Sequence, residues 1–332
     1  MLKRIVWSLC LLVSLVAGAR AGELSAGAQW ELKVLGITNE QRLAEVRELA
    51  GRRAVTIAVV GFGISESGLA AQLGPLVHFR YRGGSGDPYS GTHDTGQAGV
   101  ILDLTNALGI RVKLLTYQSE DAETAFGEAF AEAARNADIV VEFFSCWGDT
   151  TPIQTAMVKA TNALFISPYA ESGGNPTNVC QQGHAAKPGG EGIANFILAA
   201  PLARSGEGGI LMPSNRGPDV DTEVINFIAP SYYASGLGGT CPAAAVLTAV
   251  AAYIYASSPV KPDPLSVVQL LRETVRVDRS ALAGVPEFGS EQIARLQADI
   301  AKLLALPPDG TRKLDAVGVI NLYEIYRRLA HD

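Results

Sequence analysis

The stretch that decides the fold is residues 236–256, which read GLGGTCPAAAVLTAVAAYIYA. A glycine-rich turn leads to Cys241, and Pro242 suits the first turn of a helix because its missing N–H needs no partner there. No charged residue follows up to Ala256, so the pattern predicts a helix that is apolar on all sides and lies inside a core. The helix is too short to cross a bilayer, which takes about 20 residues.

Cys241 stands where this helix begins. The positive end of the helix dipole and the unpaired N–H groups favour an anion at that place. They therefore favour thiolate, the nucleophilic form of cysteine. Cys241 is thus a candidate nucleophile, and the alternative is that it is simply a small buried residue.

Composition limits the class of protein. The chain has 332 residues, 48% hydrophobic and 18% charged, which is enough for one large domain or two ordinary ones. The net charge is −6 and no basic run occurs, so nucleic acid is not expected as a partner.

The N-terminus has the pattern of a secretory signal peptide in residues 1–21. Lys3 and Arg4 precede an apolar segment at 5–18, and residues 19–21 (ARA) form a cleavage site of the A-x-A type. We expect cleavage near Ala21-Gly22 and export to the periplasm or the medium. No later stretch has transmembrane length, so no membrane span is expected after the signal is removed.

Three cysteines remain after Cys10 leaves with the signal: Cys146, Cys180 and Cys241. An odd number in an oxidising compartment predicts one disulfide and one free thiol. If Cys146 pairs with Cys180, Cys241 is the free one, but the sequence leaves the pairing open.

Apolar, β-branched runs alternate with helical patterns along most of the chain. This alternation predicts an α/β fold, a three-layer αβα sandwich with a mostly parallel, doubly wound central sheet. We expect a helical lead-in at 22–53 with its helix at 37–53, and a single domain at 54–332. The predicted strands are 54–60, 76–81, 111–116, 137–144, 163–168, 193–200, 209–213 and 223–229. The predicted helices are 95–108, 121–136, 151–162, 243–256, 265–277, 291–304 and 323–329.

A nucleotide site is one possible use of Gly61-Phe62-Gly63, which follows the first strand. The third glycine of that pattern falls on Glu66, and a carboxylate is unfavourable beside a pyrophosphate. Arg80 and Arg82 stand where an acidic residue would bind the ribose. A nucleotide-binding oxidoreductase is therefore the remote alternative, and no cofactor is expected.

Three motifs follow one another in the second half of the chain. Residues 214–218 read SNRGP, 228–230 read IAP, and 239–241 read GTC. They resemble the S-x-R-G-P, V-A-P-G and G-T-S-M-A-x-P series of the subtilisin-like serine peptidases (subtilases). Residues 57–64 (IAVVGFGI) resemble the family strand V-A-V-I-D-T-G-I, and 317–322 (VGVINL) its closing element. The resemblance implies a subtilisin-like fold with a cleft for an extended peptide.

The resemblance also assigns the site residues. Cys241 stands at the nucleophile position, and Gly61 stands where the family has its catalytic aspartate. The family pattern is H-G-T-H, and its first histidine is catalytic. The catalytic position falls on His93 if His93 is that first histidine, or on Ser90 if residues 91–93 (GTH) match the G-T-H that follows it. The oxyanion asparagine falls on Ser172, or on Asn175 if the loop is longer. The substrate groove falls on Ser145, Cys146, Trp147 and Gly148.

These departures favour an exported pseudopeptidase whose cleft binds a peptide or a protein segment. The alternative is an active peptidase or acyl transferase with Cys241 as nucleophile and His93 as base. Glu66 or Asp94 could then orient the imidazole, although neither occupies the sequence position of the aspartate. Calcium is common in subtilases, but no ligand set for it, or for another metal, is recognisable here.

Overall fold

The structure is a computed structural model, and it describes ten stretches of the chain. They are residues 24–75, 77–82, 92–118, 123–143, 151–168, 193–204, 210–211, 225–231, 240–275 and 319–331. The predicted signal at 1–21 and the predicted helix at 291–304 lie outside these residues.

Strands and helices alternate through the described part of the chain. The strands are β1 Val55–Gly61, β2 Val77–Arg82, β3 Val112–Gln118, β4 Ile139–Glu142, β5 Leu164–Pro168, β6 Phe196–Arg204, β7 Ile210–Leu211 and β8 Ile225–Ser231. The helices are α1 Ala26–Val34, α2 Glu40–Ala50, α3 Thr92–Ala107, α4 Glu123–Asn136, α5 Thr151–Lys159, α6 Thr240–Ser257, α7 Pro264–Thr274 and α8 Leu322–His331.

The described strands form one sheet in the order β2-β3-β1-β4-β5-β6, with β7 and β8 both paired to β6. All of these pairs are parallel except β6 with β7, which is antiparallel. In a parallel sheet the carboxyl ends of the strands share one edge, where ligand sites of α/β proteins are found. β1 lies between β3 and β4, so its end is near the middle of that edge.

Helices cover both faces of the sheet. Ile57 and Val59 of β1 belong to a core shared with α6, whereas Ala58 and Val60 point the opposite way. On that opposite face α4 and α5 pack together, and the ring of Phe130 in α4 lies 6.4 Å from that of Phe165 in β5. The prediction of a three-layer α/β fold with a mostly parallel central sheet is confirmed.

Helix α6 is the most enclosed element. Every residue from Ala243 to Ala256 is buried, because α6 is packed against the sheet and against α2, α3, α7 and α8. The all-round apolar pattern of residues 243–256 is therefore explained by burial on all sides. Tyr253 satisfies its hydroxyl in this apolar setting by donating to the carbonyl of Val46 at 3.1 Å.

A buried carboxylate, Asp138, ties the amino ends of β1 and β4. It accepts the N–H of Thr56 at 2.9 Å and pairs with Arg53 at 3.3 Å and Lys261 at 3.0 Å. These ion pairs lie at the sheet edge opposite the carboxyl ends of the strands, so they serve the fold.

Helix α1 is an addition to the sequence prediction, which places a single helix in the lead-in, at 37–53. Ser25 caps the helix by accepting the N–H of Ala28, and the buried residues Trp30, Leu32 and Val34 are spaced two apart. Burial on several sides removes the helical period from the sequence. The second helix lies within the predicted range 37–53 and begins after Asn39, whose side chain caps it by accepting the N–H of Arg42 at 2.9 Å.

Candidate active site

Two helix N-termini meet at the carboxyl ends of β1 and β4. Gly61 is the last residue of β1, and Phe143 follows β4. Helix α3, which begins at Thr92, and helix α6, which begins at Thr240, contact each other on the same side of the sheet. The fold therefore brings residues that are about 150 positions apart in sequence to one place.

Cys241 is the second residue of α6, and its side chain is partly buried with a free thiol. The thiol donates to the carbonyl of Phe143 at 3.8 Å, which places the sulfur at the carboxyl end of β4. The amino end of a buried helix holds Cys241 rigidly, and the helix dipole favours a negative sulfur at this end.

His93 is the second residue of α3, and 49% of its side chain is exposed. Its Nδ1 lies 3.0 Å from Oδ1 of Asp94. The hydrogen bond to Asp94, and then the influence of the Cys241 side chain, raise the pKa of His93 to about 10, against the opposing effect of burial. The site therefore favours the protonated imidazole, with a carboxylate beside Nδ1.

Asp94 is the buried member of this group, with 2% of its side chain exposed. Its Oδ1 faces the histidine, and its Oδ2 accepts the backbone N–H of Phe62 at 2.7 Å. The second bond fixes the plane of the carboxylate, because Phe62 follows directly on β1.

Gly61 leaves the space that Asp94 fills. A Cβ built on Gly61 would overlap Oδ2 of Asp94 and lie 3.2 Å from its Cγ. The carboxylate of Asp94 therefore lies where a side chain at position 61 would begin. Of the two acids considered from the sequence, the structure brings Asp94 to the histidine, whereas Glu66 is exposed.

The turn after β1 is tied to the same helix. The N–H of Ser65 donates to Oγ1 of Thr95 at 2.8 Å, and a Cβ at Gly68 would lie 2.7 Å from Cγ2 of Thr95. Asp94 and Thr95 thus attach the start of α3 to the end of β1 at two successive residues.

A nucleotide at Gly61-Phe62-Gly63 is disfavoured by this geometry. The N–H of Phe62, which would face a phosphate, donates to Asp94. A phosphate there would also meet the buried carboxylate, which repels it. Sequence position alone could not show this, because Asp94 comes from another element.

Several predicted site residues lie outside the described part of the chain. They are Ser90, Ser145, Cys146, Trp147, Gly148, Ser172, Asn175 and Cys180, together with the motif at 214–218. The described residues bring together Gly61, His93 and Cys241, and add Asp94.

Within the described stretches, no group of three His, Cys, Asp or Glu side chains is arranged to hold a metal ion. None of the helices described there combines the length and the apolar character that crossing a membrane requires.

No known protein-family model matches the sequence, and no curated protein matches it either. Solved structures do match in three dimensions. A lanthipeptide protease is 16% identical with a TM-score of 0.56, and the match covers 93% of this chain and 96% of that one. The A-subunit of the AB5 toxin from E. coli is 13% identical with a TM-score of 0.54, covering 90% of this chain and 99% of that one.

The PatG macrocyclase, solved in complex with a peptide, is 15% identical with a TM-score of 0.52. That match covers 88% of this chain and 98% of the macrocyclase chain. At such low identity these similarities establish the fold alone. The chain therefore shares its α/β fold with these three proteins.

Proposed function

We propose that the protein is a thiol-dependent peptidase or acyl transferase in which Cys241 is the nucleophile and His93 carries the proton. The observation that supports this most directly is the placement of the Cys241 thiol at the start of α6 and of His93, hydrogen-bonded to buried Asp94, at the start of the neighbouring helix α3. A nucleophile and a base in contact at a helix N-terminus are the minimum for covalent acyl transfer.

Attack on a carbonyl carbon would require the thiolate of Cys241, with the proton held by the imidazole of His93. The raised pKa of His93 means that the ring keeps its proton when the thiol has given one up. Nδ1 faces Asp94, so Nε2 is the ring nitrogen left for exchange with sulfur. Thiolate is an attacking group at neutral pH, which a serine hydroxyl is not.

The reaction would run in two steps. Sγ of Cys241 attacks the carbonyl carbon, and the imidazolium of His93 gives its proton to the leaving amine as the C–N bond breaks. The thioester that forms removes the negative sulfur, and with it one of the causes that raise the pKa of His93. The ring can then take a proton from water or from an incoming amine, which attacks the thioester and frees the thiolate.

We propose an extended peptide as the substrate. A fold-related macrocyclase has been solved with a peptide bound. An extended peptide can bind by adding a strand to an exposed sheet edge, with pockets for alternate side chains.

The sequence favours a pseudopeptidase because several catalytic positions depart from the family, Gly61 in place of the aspartate among them. The weight of Gly61 in that argument is reduced, since a buried carboxylate lies beside Nδ1 of His93. A pseudopeptidase that only binds peptide is now the outcome that would contradict the proposal.

The test is alkylation with iodoacetamide at about pH 6, where a free thiol is almost entirely protonated. We expect mass spectrometry to locate fast labelling at Cys241 in the wild-type chain. His93→Ala should slow it by at least about tenfold, because the imidazolium stabilises the thiolate. Cys241→Ser controls for labelling elsewhere.

Turnover of a peptide library by the same proteins completes the experiment. Cleavage or ligation by the wild type and none by Cys241→Ser would support the proposal. Slow labelling of Cys241 at the same rate with and without His93, together with no turnover, would refute the proposal and leave a peptide-binding pseudopeptidase.

We further propose export through residues 1–21, on the basis of the signal-peptide pattern. Expression of the full chain in a bacterial host, followed by mass spectrometry of the periplasmic fraction and the medium, tests this. A mature N-terminus near Gly22 is expected, and an uncleaved chain in the cytoplasm would contradict it.

A further inference from the structure

We propose that Asp94 is the acid that positions His93, so that the acidic member of the site comes from helix α3 and not from strand β1. This inference rests on the proposed function for its meaning in catalysis. It makes Gly61 a residue whose missing side chain is required.

The first support is the way the space is filled. A side chain at position 61 and the carboxylate of Asp94 exclude each other, because Cβ and Oδ2 would overlap. In the resembled family an aspartate at the end of β1 reaches the histidine. Here the last residue of β1 has no side chain, and Asp94, which follows the histidine on α3, places a carboxylate in the same space.

The second support is orientation. Oδ2 of Asp94 is held by the N–H of Phe62 at 2.7 Å, and this leaves Oδ1 facing Nδ1 of His93 at 3.0 Å. A carboxylate fixed in this way accepts the proton of Nδ1 and thereby selects the tautomer in which Nε2 faces the thiol.

The third support is the set of charges around the ring. The groups that act on His93 from the described residues are Asp94 on its own helix and Cys241 on α6. The end of strand β1 contributes Gly61, and Phe62 follows it directly; neither residue titrates. Removing the charge at Asp94 should therefore change the titration of His93 directly.

Asp94→Asn is the variant that isolates this role. The amide oxygen can still accept the N–H of Phe62, so the local fold is kept. The NH₂ group then faces Nδ1 and forces the proton onto Nε2, which is the wrong tautomer for taking a proton from sulfur.

The first measurement is an NMR titration of His93 in protein carrying labelled histidine, with His93→Gln used to assign the signal. We expect the wild-type midpoint well above the ordinary 6.5, in the direction of about 10. In Asp94→Asn it should fall by at least about one pKa unit, and iodoacetamide labelling of Cys241 at about pH 6 should slow at least about tenfold.

The second measurement moves the carboxylate back to β1. Asp94→Ala should slow labelling and lower the His93 midpoint, and adding Gly61→Asp to it should restore both in part. The matched control is Gly61→Asn with Asp94→Ala, which has the same size without the charge and should restore neither. Circular dichroism of each variant identifies any that fail to fold.

The two proposals fail in different ways. An unchanged His93 midpoint in a folded Asp94→Asn protein would overturn the role of Asp94, whatever the thiol does. A midpoint that falls as expected, with Cys241 labelling that never depends on His93, would support the positioning role and refute the proposed function.

Discussion

Replacing Gly61 with alanine should displace Asp94, and the cost can be worked out from the contacts. The new Cβ would occupy the place of Oδ2, so the carboxylate must give up its 2.7 Å bond from the N–H of Phe62. Loss of a backbone donor by a buried carboxylate costs about 1.5–3 kcal/mol. The contact with half-exposed His93 adds no more than about 1 kcal/mol, because water screens it.

Alanine in place of glycine in a strand returns about 0.5–1 kcal/mol, since it restricts the unfolded chain. We therefore expect Gly61→Ala to lower the free energy of unfolding by about 1–3 kcal/mol. In an Asp94→Ala background the obstacle is absent, and the same change should be neutral or slightly stabilising. The two substitutions should then be coupled by about 2 kcal/mol.

Urea unfolding of the wild type, both single variants and the double variant measures this coupling. Gly74→Ala is a matched control, because a Cβ at Gly74 meets nothing within 4 Å. It should change the free energy of unfolding by less than about 0.5 kcal/mol. Additivity of Gly61→Ala and Asp94→Ala to within about 0.5 kcal/mol would refute the claim that the two residues compete for one space.

Three further results are expected. Asp138→Ala should lower the free energy of unfolding by about 2–4 kcal/mol, because a backbone N–H loses its acceptor and two cations lose their carboxylate partner. Denaturant curves that match the wild type would contradict this. Tyr253→Phe should cost about 1 kcal/mol in the same assay, because it removes a buried hydrogen bond, and an unchanged free energy of unfolding would contradict this. Because the pKa of His93 is raised in the folded protein, protonation of this ring adds to the free energy of unfolding. This contribution is complete below pH 6.5 and is lost as the pH rises through about 10. The difference in free energy of unfolding between wild type and Asp94→Asn should therefore shrink between those two pH values.

The sheet could be predicted from the sequence because each strand carries its own signal. β1 and β4 are buried on both faces, and a continuous apolar run is the pattern that such strands produce. Helix α6 was equally visible, since no charged residue interrupts it. Helix α1 was missed for a related reason: burial on several sides leaves no amphipathic period to detect.

Cys241 and His93 could be proposed as partners from the sequence, but the acid could not be chosen. The sequence offers Asp94, directly after the histidine, and Glu66, which lies 27 positions before it (93 − 66). The choice depends on which side chain can enter the space left at Gly61. That depends on how β1 and α3 pack together, which the sequence does not show. A signal does exist in the sequence, namely a glycine at the aspartate position with an aspartate directly after the histidine.

His93 and Asp94 are neighbours on a single helix, and this reduces the number of parts that must be aligned. A site with its three groups on three elements requires three rigid bodies to keep their places. Here the proposed acid and base lie together on α3, so the separation between α3 and α6 and the backbone N–H of Phe62 that orients the acid remain to be set. Two helix N-termini held side by side, one starting with a His-Asp pair and the other with a cysteine, together with one backbone N–H that binds the acid, would then be a compact unit that a designer could build into an unrelated scaffold.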